Sequence, residues 1–233
     1  MQHAEYLQAE QLAQVNPLIH PQFRHAMYFP QIANVRNPRL LQSMIGYLKQ
    51  HPKVEFIEHC PIEQFNIVNG KVQSIRSQNK QTYFADQFVI TTGAWSKHWS
   101  EQLDLDIPVQ PVQGQMVLFK TPENWLPTMC MNKVMYLIPR LDGHVVCGSS
   151  MANCGFDTTP TAATQQTILK ACFEMVPELA AFPIVKQWAG LRPSSPTGVP
   201  YIGKMPELDN LWANFGHFRN GLCMGPASAR LLR

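Results

Sequence analysis

The chain has 233 residues, of which 45% are hydrophobic and 15% charged, with a formal net charge of +3 at pH 7. This balance is typical of a globular protein with a sizeable core and one large or two small domains. The basic residues form no run, so nucleic acid is not indicated as a partner. No apolar stretch reaches the roughly 18 residues that a membrane span needs. No signal peptide is evident, and we therefore expect a cytoplasmic protein without a membrane partner.

The first half of the chain alternates helical and extended patterns. Residues 5–15 are predicted to form a helix that ends at Asn16-Pro17. Asn37-Pro38 supplies an N-cap and a proline at the first helical position, which predicts a helix to about residue 50. Apolar residues at 40, 41, 44, 45 and 48 lie on one side of it. Strands are predicted at 25–29, 54–58, 62–68, 71–77 and 88–91, with a hairpin at Asn69-Gly70 and a short helix near 95–102.

The second half contains shorter strands separated by turns. Asp142-Gly143 predicts a second hairpin. Residues 161–175 are predicted to form a helix with Ile168, Leu169, Cys172 and Phe173 facing inward. A final helix is expected to begin near Pro226. The remaining predicted strands are 107–112, 116–120, 134–139, 145–148, 185–191 and 211–215.

The six cysteines contain no C-x-x-C pair and have no histidine at zinc-ligand spacing. We therefore expect buried free thiols and no metal site. The sequence also contains neither a G-x-S-x-G nor an H-E-x-x-H motif, so hydrolase chemistry of those types is not indicated.

Two arginines stand in stretches with little other charge. Arg192 lies in Trp188-Ala189-Gly190-Leu191-Arg192-Pro193, and Arg219 lies in Gly216-His217-Phe218-Arg219-Asn220-Gly221. A guanidinium beside apolar residues costs desolvation unless an anion matches it, and its planar fork suits a carboxylate. The pair indicates a site for a small carboxylate ligand. The alternative is that both arginines pair with local carboxylates or carbonyls.

Glycines at 216, 221 and 225 allow the backbone to approach a ligand closely. If a helix starts just after them, its free amides and the positive end of its dipole face whatever lies before it. An ordinary loop entering a helix is the other interpretation.

The ordered series of these motifs resembles the D-amino-acid oxidase family of FAD-dependent flavoproteins, and within it the glycine oxidase branch of thiamine biosynthesis. The resemblance runs from about Glu5 to the last residue. Besides the two arginine motifs it includes these words: Val89-Ile90-Thr91-Thr92-Gly93-Ala94, Pro111-Val112-Gln113-Gly114-Gln115, Tyr136-Leu137-Ile138-Pro139-Arg140 and Gly198-Val199-Pro200-Tyr201-Ile202-Gly203. At Gln113 the family usually has a basic residue.

The resemblance implies a fold of α/β plus α+β class with two interleaved domains. Residues 1–35 and 107–190 would form a substrate domain on a mixed, largely antiparallel sheet. Residues 36–106 and 191–233 would belong to an FAD-binding domain that is incomplete. Members of the family often form homo-oligomers.

The resemblance also implies the chemistry. The enzyme would pass a hydride from the α-carbon of glycine or a small D-amino acid to FAD, and oxygen would be reduced to hydrogen peroxide. The neutral amine needs no protein acid or base, so no catalytic side chain is assigned. By the resemblance, Arg192, Arg219, Tyr136 and Met151 bind the substrate; core packing is the alternative for Tyr136 and Met151. The implied cofactor-binding residues are Ile62, Thr92, Gly93, His217, Phe218, Arg219, Asn220, Gly221, Leu222 and Cys223.

One departure from the family is serious. Its members begin with a strand, a G-x-G-x-x-G turn and a helix that cradle the FAD pyrophosphate, but the thirteen glycines of this chain contain no G-x-G pair. We expect an internal piece of a longer oxidase that binds FAD weakly by itself. The alternatives are a D-amino-acid dehydrogenase that reduces a quinone, a sarcosine-type oxidase, and a catalytically inert fragment that cannot hold FAD.

Overall fold

The structure, a computed structural model, describes residues 3–233. Their contacts divide the chain into two compact units. Unit 1 comprises Met1–Asn37 and Gln113–Gly190, and unit 2 comprises Pro38–Val112 and Leu191–Arg233. In chain order the elements are β1 (Glu5–Gln8), α1 (Ala9–Val15), β2 (His25–Tyr28), α2 (Asn37–Lys49), β3 (Ile62–Val68), β4 (Lys71–Ser77), β5 (Thr82–Tyr83), β6 (Phe88–Ile90), α3 (Ser100–Leu103), β7 (Gln110–Lys120), β8 (Cys130–Met131), β9 (Tyr136–Arg140), β10 (His144–Gly148), α4 (Ala162–Met175), β11 (Ile184–Ser194), β12 (Tyr201–Lys204), β13 (Leu211–Phe215) and α5 (Gly221–Leu231), with 3₁₀ helices at Gly93–Trp99 and Pro177–Ala181.

The main sheet of unit 1 has five strands in the order β11-β7-β10-β9-β8. β10 pairs antiparallel with both β7 and β9, and β9 pairs antiparallel with β8. The Asp142-Gly143 turn joins β9 to β10, so the second predicted hairpin is confirmed. The sequence predicted two strands, 107–112 and 116–120, where the structure has the single strand β7.

The helix α4 packs on the core of unit 1. Thr161 caps its N-terminus, where the Thr164 amide donates to Thr161 Oγ1 at 3.3 Å. Ile168 and Cys172 are fully buried, whereas Leu169 and Phe173 are partly buried against the same core. The predicted inward side of this helix is therefore confirmed.

The prediction of a helix over residues 5–15 is wrong in its first four residues. These form β1, which pairs antiparallel with β2, and Tyr6 stacks on His25 with ring centres 5.5 Å apart. A tyrosine on an extended strand gains this cross-strand contact, and the pairing outweighs the weak helical preference of the segment.

Unit 2 contains two three-stranded sheets. One has the order β12-β13-β6, with β13 antiparallel to β12 and parallel to β6. The other has the order β3-β4-β5, and its β3–β4 hairpin turns at Asn69-Gly70 as predicted. The side chain of Asn210 links strand β4 to the segment that precedes β6. It accepts from the Val72 amide at 2.8 Å and donates to the carbonyls of Val72 and Asp86 at 2.9 and 3.2 Å.

One prediction for unit 2 is wrong. Residues 54–58 form no strand, because no described strand pairs with them. The α2 helix forms as expected, but none of its side chains is fully buried, and Leu41, Met44 and Ile45 are exposed. Periodicity states which side of a helix prefers burial; it does not supply the surface that covers it.

All six cysteines are free thiols, but only Cys130, Cys147 and Cys172 are buried. Burial raises the pKa of Cys130 to about 11. The neighbouring Cys172 thiol and burial raise the pKa of Cys147. Cys154 and Cys223 are exposed, contrary to expectation. Within residues 3–233, no helix is long and apolar enough to cross a membrane, and no group of three potential metal ligands occurs.

Candidate functional site

The parallel pair β6 and β13 brings two of the predicted cofactor segments together. Leu211, Trp212 and Ala213 pair with Phe88, Val89 and Ile90 in register, so both strands end at the same edge of the sheet. Thr92 and Gly93 follow β6 at this edge, and residues 216–223 follow β13. The carboxyl ends of parallel strands are where α/β sheets bind ligands. We call this region the carboxyl edge of unit 2.

The turn after β6 is held by side-chain hydrogen bonds. Ser96, which is buried, donates from its hydroxyl to the Gly93 carbonyl at 2.8 Å. The Thr92 and Ser96 hydroxyl oxygens lie 3.1 Å apart. Gly93 has a φ of 56°, and no atom within 4 Å would meet a Cβ there. The glycine is thus needed for its backbone conformation, and the space beside it is open.

The turn after β13 requires glycine for a second reason. Gly216 has a φ of 81°, and a Cβ at this position would lie 3.1 Å from Tyr201 Cδ2. The next turn residue, Phe218, also has a positive φ, 49°. A non-glycine residue in this region is uncommon and is held there only by its surroundings.

A hydrogen-bonded chain fixes His217 against α5. Ser228 donates from its hydroxyl to the Met224 carbonyl at 2.9 Å, and the same hydroxyl oxygen lies 2.9 Å from His217 Nε2. Because the serine proton is used by the carbonyl, His217 Nε2 carries the proton of the second bond. Burial lowers the pKa of His217, which favours a neutral imidazole.

The structure corrects the start of the last helix. α5 begins at Gly221, five residues before Pro226, and Pro226 lies within it. Its first hydrogen bond of helical type joins the Met224 amide to the Asn220 carbonyl at 2.9 Å. The amides of residues 221–223 precede this bond and lie at the positive end of the helix dipole. Proline within the second turn removes one donor from the helix, and α5 tolerates this loss.

The same region contains an acceptor without a donor. Asn214 lies on β13 two residues before Gly216, and its Oδ1 is buried with no hydrogen-bond partner among the described residues. Buried polar atoms are nearly always paired. A ligand N–H or hydroxyl at the carboxyl edge would satisfy it.

Backbone contacts bring the segments of the two arginines side by side within unit 2. Ser194, two residues after Arg192, forms an antiparallel bridge with His217, two residues before Arg219. The Phe218 amide donates to the Pro193 carbonyl at 2.9 Å. Arg192 is partly buried, whereas Arg219 is exposed and its guanidinium carbon lies 5.5 Å from the centre of the Phe218 ring. Arg192, on β11, is therefore close in the chain to the residues that contact the turn after β13, and Arg219 lies within that turn.

The other predicted residues lie elsewhere. Ile62 begins β3, in the second sheet of unit 2, and packs on the core. Tyr136 begins β9 in unit 1 and is partly buried, with its hydroxyl donating to Met116 Sδ at 3.9 Å. Met151 lies in unit 1 after β10 and is 63% exposed, so the core-packing alternative is wrong for it.

Sequence reasoning missed Ser96 and Ser228, which hold the two turns of the carboxyl edge. A serine three or seven residues into a helical segment carries no signal, because its role depends on which carbonyl and which ring the fold brings to it.

Comparisons with known proteins show the family to which the chain belongs. The sequence profile of the family described as "FAD dependent oxidoreductase" matches residues 1–233. A glycine oxidase of Pseudomonas putida is 45% identical over 215 residues, which are 92% of this chain and 59% of that protein. The "Bifunctional protein ThiO/ThiG" of Trichormus variabilis is 29% identical over 210 residues, 88% of this chain and 31% of that protein.

Among solved structures, the glycine oxidase of Geobacillus kaustophilus superimposes with a TM-score of 0.91 at 24% identity, over 99% of this chain and 62% of that one. This likeness shows a shared fold. The chain thus spans less than two thirds of the length of these relatives. It belongs to the family of FAD-dependent oxidoreductases.

Proposed function

We propose that this chain carries the substrate-binding residues and the flavin-ring contacts of an amino-acid oxidase that acts on glycine or a small D-amino acid. Residues 36–106 and 191–233 would be its FAD-binding part, and residues 1–35 and 107–190 its substrate part. The observation that carries the proposal is the Ser194–His217 bridge, because it places both arginine segments at the carboxyl edge of unit 2.

The residues at the carboxyl edge fit a flavin. Gly93 leaves open space, the amides of residues 221–223 lie at the start of α5, and Asn214 Oδ1 has no donor among residues 3–233. Thr92, Gly93 and residues 217–223 would contact the cofactor there, and the resemblance adds the backbone of Ile62. Bound FAD would supply the hydride acceptor, with oxygen as the terminal oxidant and hydrogen peroxide as the product. The amides at the start of α5 would stabilise negative charge on the cofactor.

The protein side chains would act by orientation. Arg192 and Arg219 bind the substrate carboxylate, and the resemblance assigns Tyr136 and Met151 to the same ligand. The neutral amine loses its α-hydrogen as hydride and becomes an iminium ion, the protonated imine, so this step needs no side-chain base. Water then hydrolyses the iminium ion to the 2-oxo acid and ammonium.

Substrate and acceptor can be tested together. The purified protein is given glycine, sarcosine or D-alanine, and both oxygen uptake and peroxide are measured. With glycine as substrate, one mole of hydrogen peroxide formed for each mole of oxygen consumed would support an oxidase. Reduction of an artificial quinone without oxygen uptake would favour the dehydrogenase, and a strong preference for sarcosine would favour the N-methyl amine oxidase.

The arginine assignment has its own test. Arg192→Lys should weaken apparent glycine affinity nearly as much as Arg192→Ala, because a point charge cannot replace a bidentate fork. The expected cost is about 1.5–3 kcal/mol. Arg230→Ala, at the exposed end of α5, is the matched control and should leave the KM unchanged. A wild-type KM in Arg192→Ala would remove Arg192 from the site.

A further test separates the enzyme from the inert alternative. The 233-residue chain contains no G-x-G pair to cradle a pyrophosphate, so we expect it to lose added FAD during gel filtration. Stoichiometric flavin in the eluted chain would overturn this expectation. If the chain loses flavin and consumes no oxygen, the activity belongs to a longer protein that contains it.

A further inference from the structure

Strand β7 in unit 1 carries two buried glutamines whose side chains face the same segment of the chain. Gln113 and Gln115 are only 3% and 2% exposed. Gln115 Nε2 donates to Gln113 Oε1 at 2.9 Å, so the two carboxamides are linked head to tail. Two uncharged amides in a closed environment are stable only if their donors and acceptors are satisfied. The other hydrogen-bond partners of Gln113 and Gln115 show which segment the two side chains hold.

Those partners belong to residues 149–161, which we call the 149–161 loop; it connects β10 to α4. Gln113 Nε2 donates to the Asp157 carbonyl at 2.8 Å. Gln115 Oε1 accepts from the Thr161 amide at 2.9 Å. Gln187 adds a third carboxamide, whose Nε2 lies 3.2 Å from Gln115 Oε1 and 3.1 Å from the Thr161 carbonyl. The C-terminal part of the loop is thus fixed at two points.

The backbone of the same two glutamines holds the N-terminal part of the loop. Gln113 and Ala152 exchange both backbone hydrogen bonds, at 2.9 and 3.0 Å. The Gln115 amide donates to the Ser150 hydroxyl at 2.8 Å, and the Ser150 amide donates to the Gln115 carbonyl at 3.3 Å. Met151 lies between these two anchored residues.

Apolar packing does little for this loop. Every side chain from Met151 to Thr161 is exposed, including Phe156 at 53%. The hydrogen bonds to Gln113, Gln115 and Gln187 are therefore important supports of the loop. Loss of the Gln113 carboxamide leaves Gln115 Nε2 without its acceptor in a buried position and releases the Asp157 carbonyl.

We propose that the Gln113–Gln115 pair is a positioning device that holds the 149–161 loop, and with it Met151, so that the pair determines how large a substrate side chain the enzyme accepts. The substrate part of this inference rests on the proposed function. Neither glutamine touches substrate; both act through the loop.

The anchoring is tested by amide hydrogen exchange of the purified protein. Gln113→Met keeps the volume of the side chain and removes both of its hydrogen bonds. Exchange in the peptide that covers residues 152–161 should accelerate about tenfold, while exchange of β10 stays unchanged and shows that the unit is folded. Gln110→Met, at an exposed position of the same strand, is the matched control and should alter neither. Unchanged exchange of the loop in Gln113→Met would overturn the proposal.

The effect on substrate choice is tested with glycine and D-alanine. In Gln113→Met the ratio of the two KM values should change by about threefold or more, while kcat for glycine changes less than about twofold. A faster-exchanging loop with an unchanged KM ratio would refute the specificity role. If the wild-type protein retains FAD and still oxidises neither amino acid, the proposed function and the specificity claim built on it both fail, whereas the exchange result still decides the anchoring.

Discussion

The helices α4 and α2 have the same kind of sequence pattern but differ in burial. Both have apolar residues on one side, but in unit 1 the pattern of α4 is buried, with Ile168 and Cys172 fully enclosed. In unit 2 the apolar side of α2 is exposed, including Leu41 at 57%. The amphipathic pattern records a preference for burial, and burial itself requires a second surface with matching shape.

The two units also differ in what their buried carboxamide side chains connect. In unit 1 the buried carboxamides of Gln113 and Gln115 hold an exposed loop, whereas in unit 2 the buried carboxamide of Asn210 joins two core segments. Buried amides stabilise whichever segments they connect, so the consequence of losing one depends on its partners.

The largest effect is expected in the core of unit 1. Ile168→Ala removes a fully buried side chain between α4 and the sheet and should lower the free energy of unfolding by about 2–5 kcal/mol. Urea denaturation of the 233-residue chain measures this loss. A change below about 1 kcal/mol would show that α4 is packed no better than α2, and the comparison would fail.

A slightly smaller loss is expected from the buried amide of unit 2. Asn210→Ala leaves the amide and carbonyl of Val72 without their partner, which should cost about 1–3 kcal/mol. The control is Asn153→Ala in the exposed 149–161 loop, which should be close to neutral. Equal denaturation curves for the two variants would show that the Asn210 bonds are replaced by water.

A pH effect is expected at His217. Its pKa is lowered by burial from the usual 6.5, so between the lowered value and 6.5 the unfolded chain binds more protons than the folded chain. The free energy of unfolding should therefore rise with pH through this window and fall as the pH drops below 6.5. His217→Gln should flatten this dependence, whereas His51→Gln, at an exposed position, should retain it. Parallel pH profiles of wild type and His217→Gln would contradict the assignment.

The smallest effect is expected on α2. Leu41→Ala removes a side chain that is 57% exposed and should change the free energy of unfolding by less than about 0.5 kcal/mol. Its clearer consequence is reduced self-association at high concentration, because exposed apolar surface promotes contact between copies. Sedimentation velocity of the two proteins measures this difference. A loss as large as that of Ile168→Ala would mean that α2 is buried in solution.

Local signals predicted the elements that depend on local chemistry. The Asn69-Gly70 and Asp142-Gly143 turns, the inward side of α4 and the strand β13 are where the sequence placed them. Predictions failed where contacts with residues distant in the sequence determine the local structure. Residues 5–8 became a strand because β2 lies beside them, residues 54–58 remained irregular for want of a neighbour, and α5 began before its proline.

The sequence by itself determined the family, through an ordered series of motifs, and singled out Arg192 and Arg219 as charged groups in apolar surroundings. It could not determine that the segments of these arginines are joined by the Ser194–His217 bridge, because that contact joins residues that are far apart in the chain. It also did not reveal the Gln113–Gln115 pair, since the sequence does not show whether a glutamine is solvated or buried. Only the tertiary structure decides which polar atoms lose water, and those atoms fix the geometry of the site.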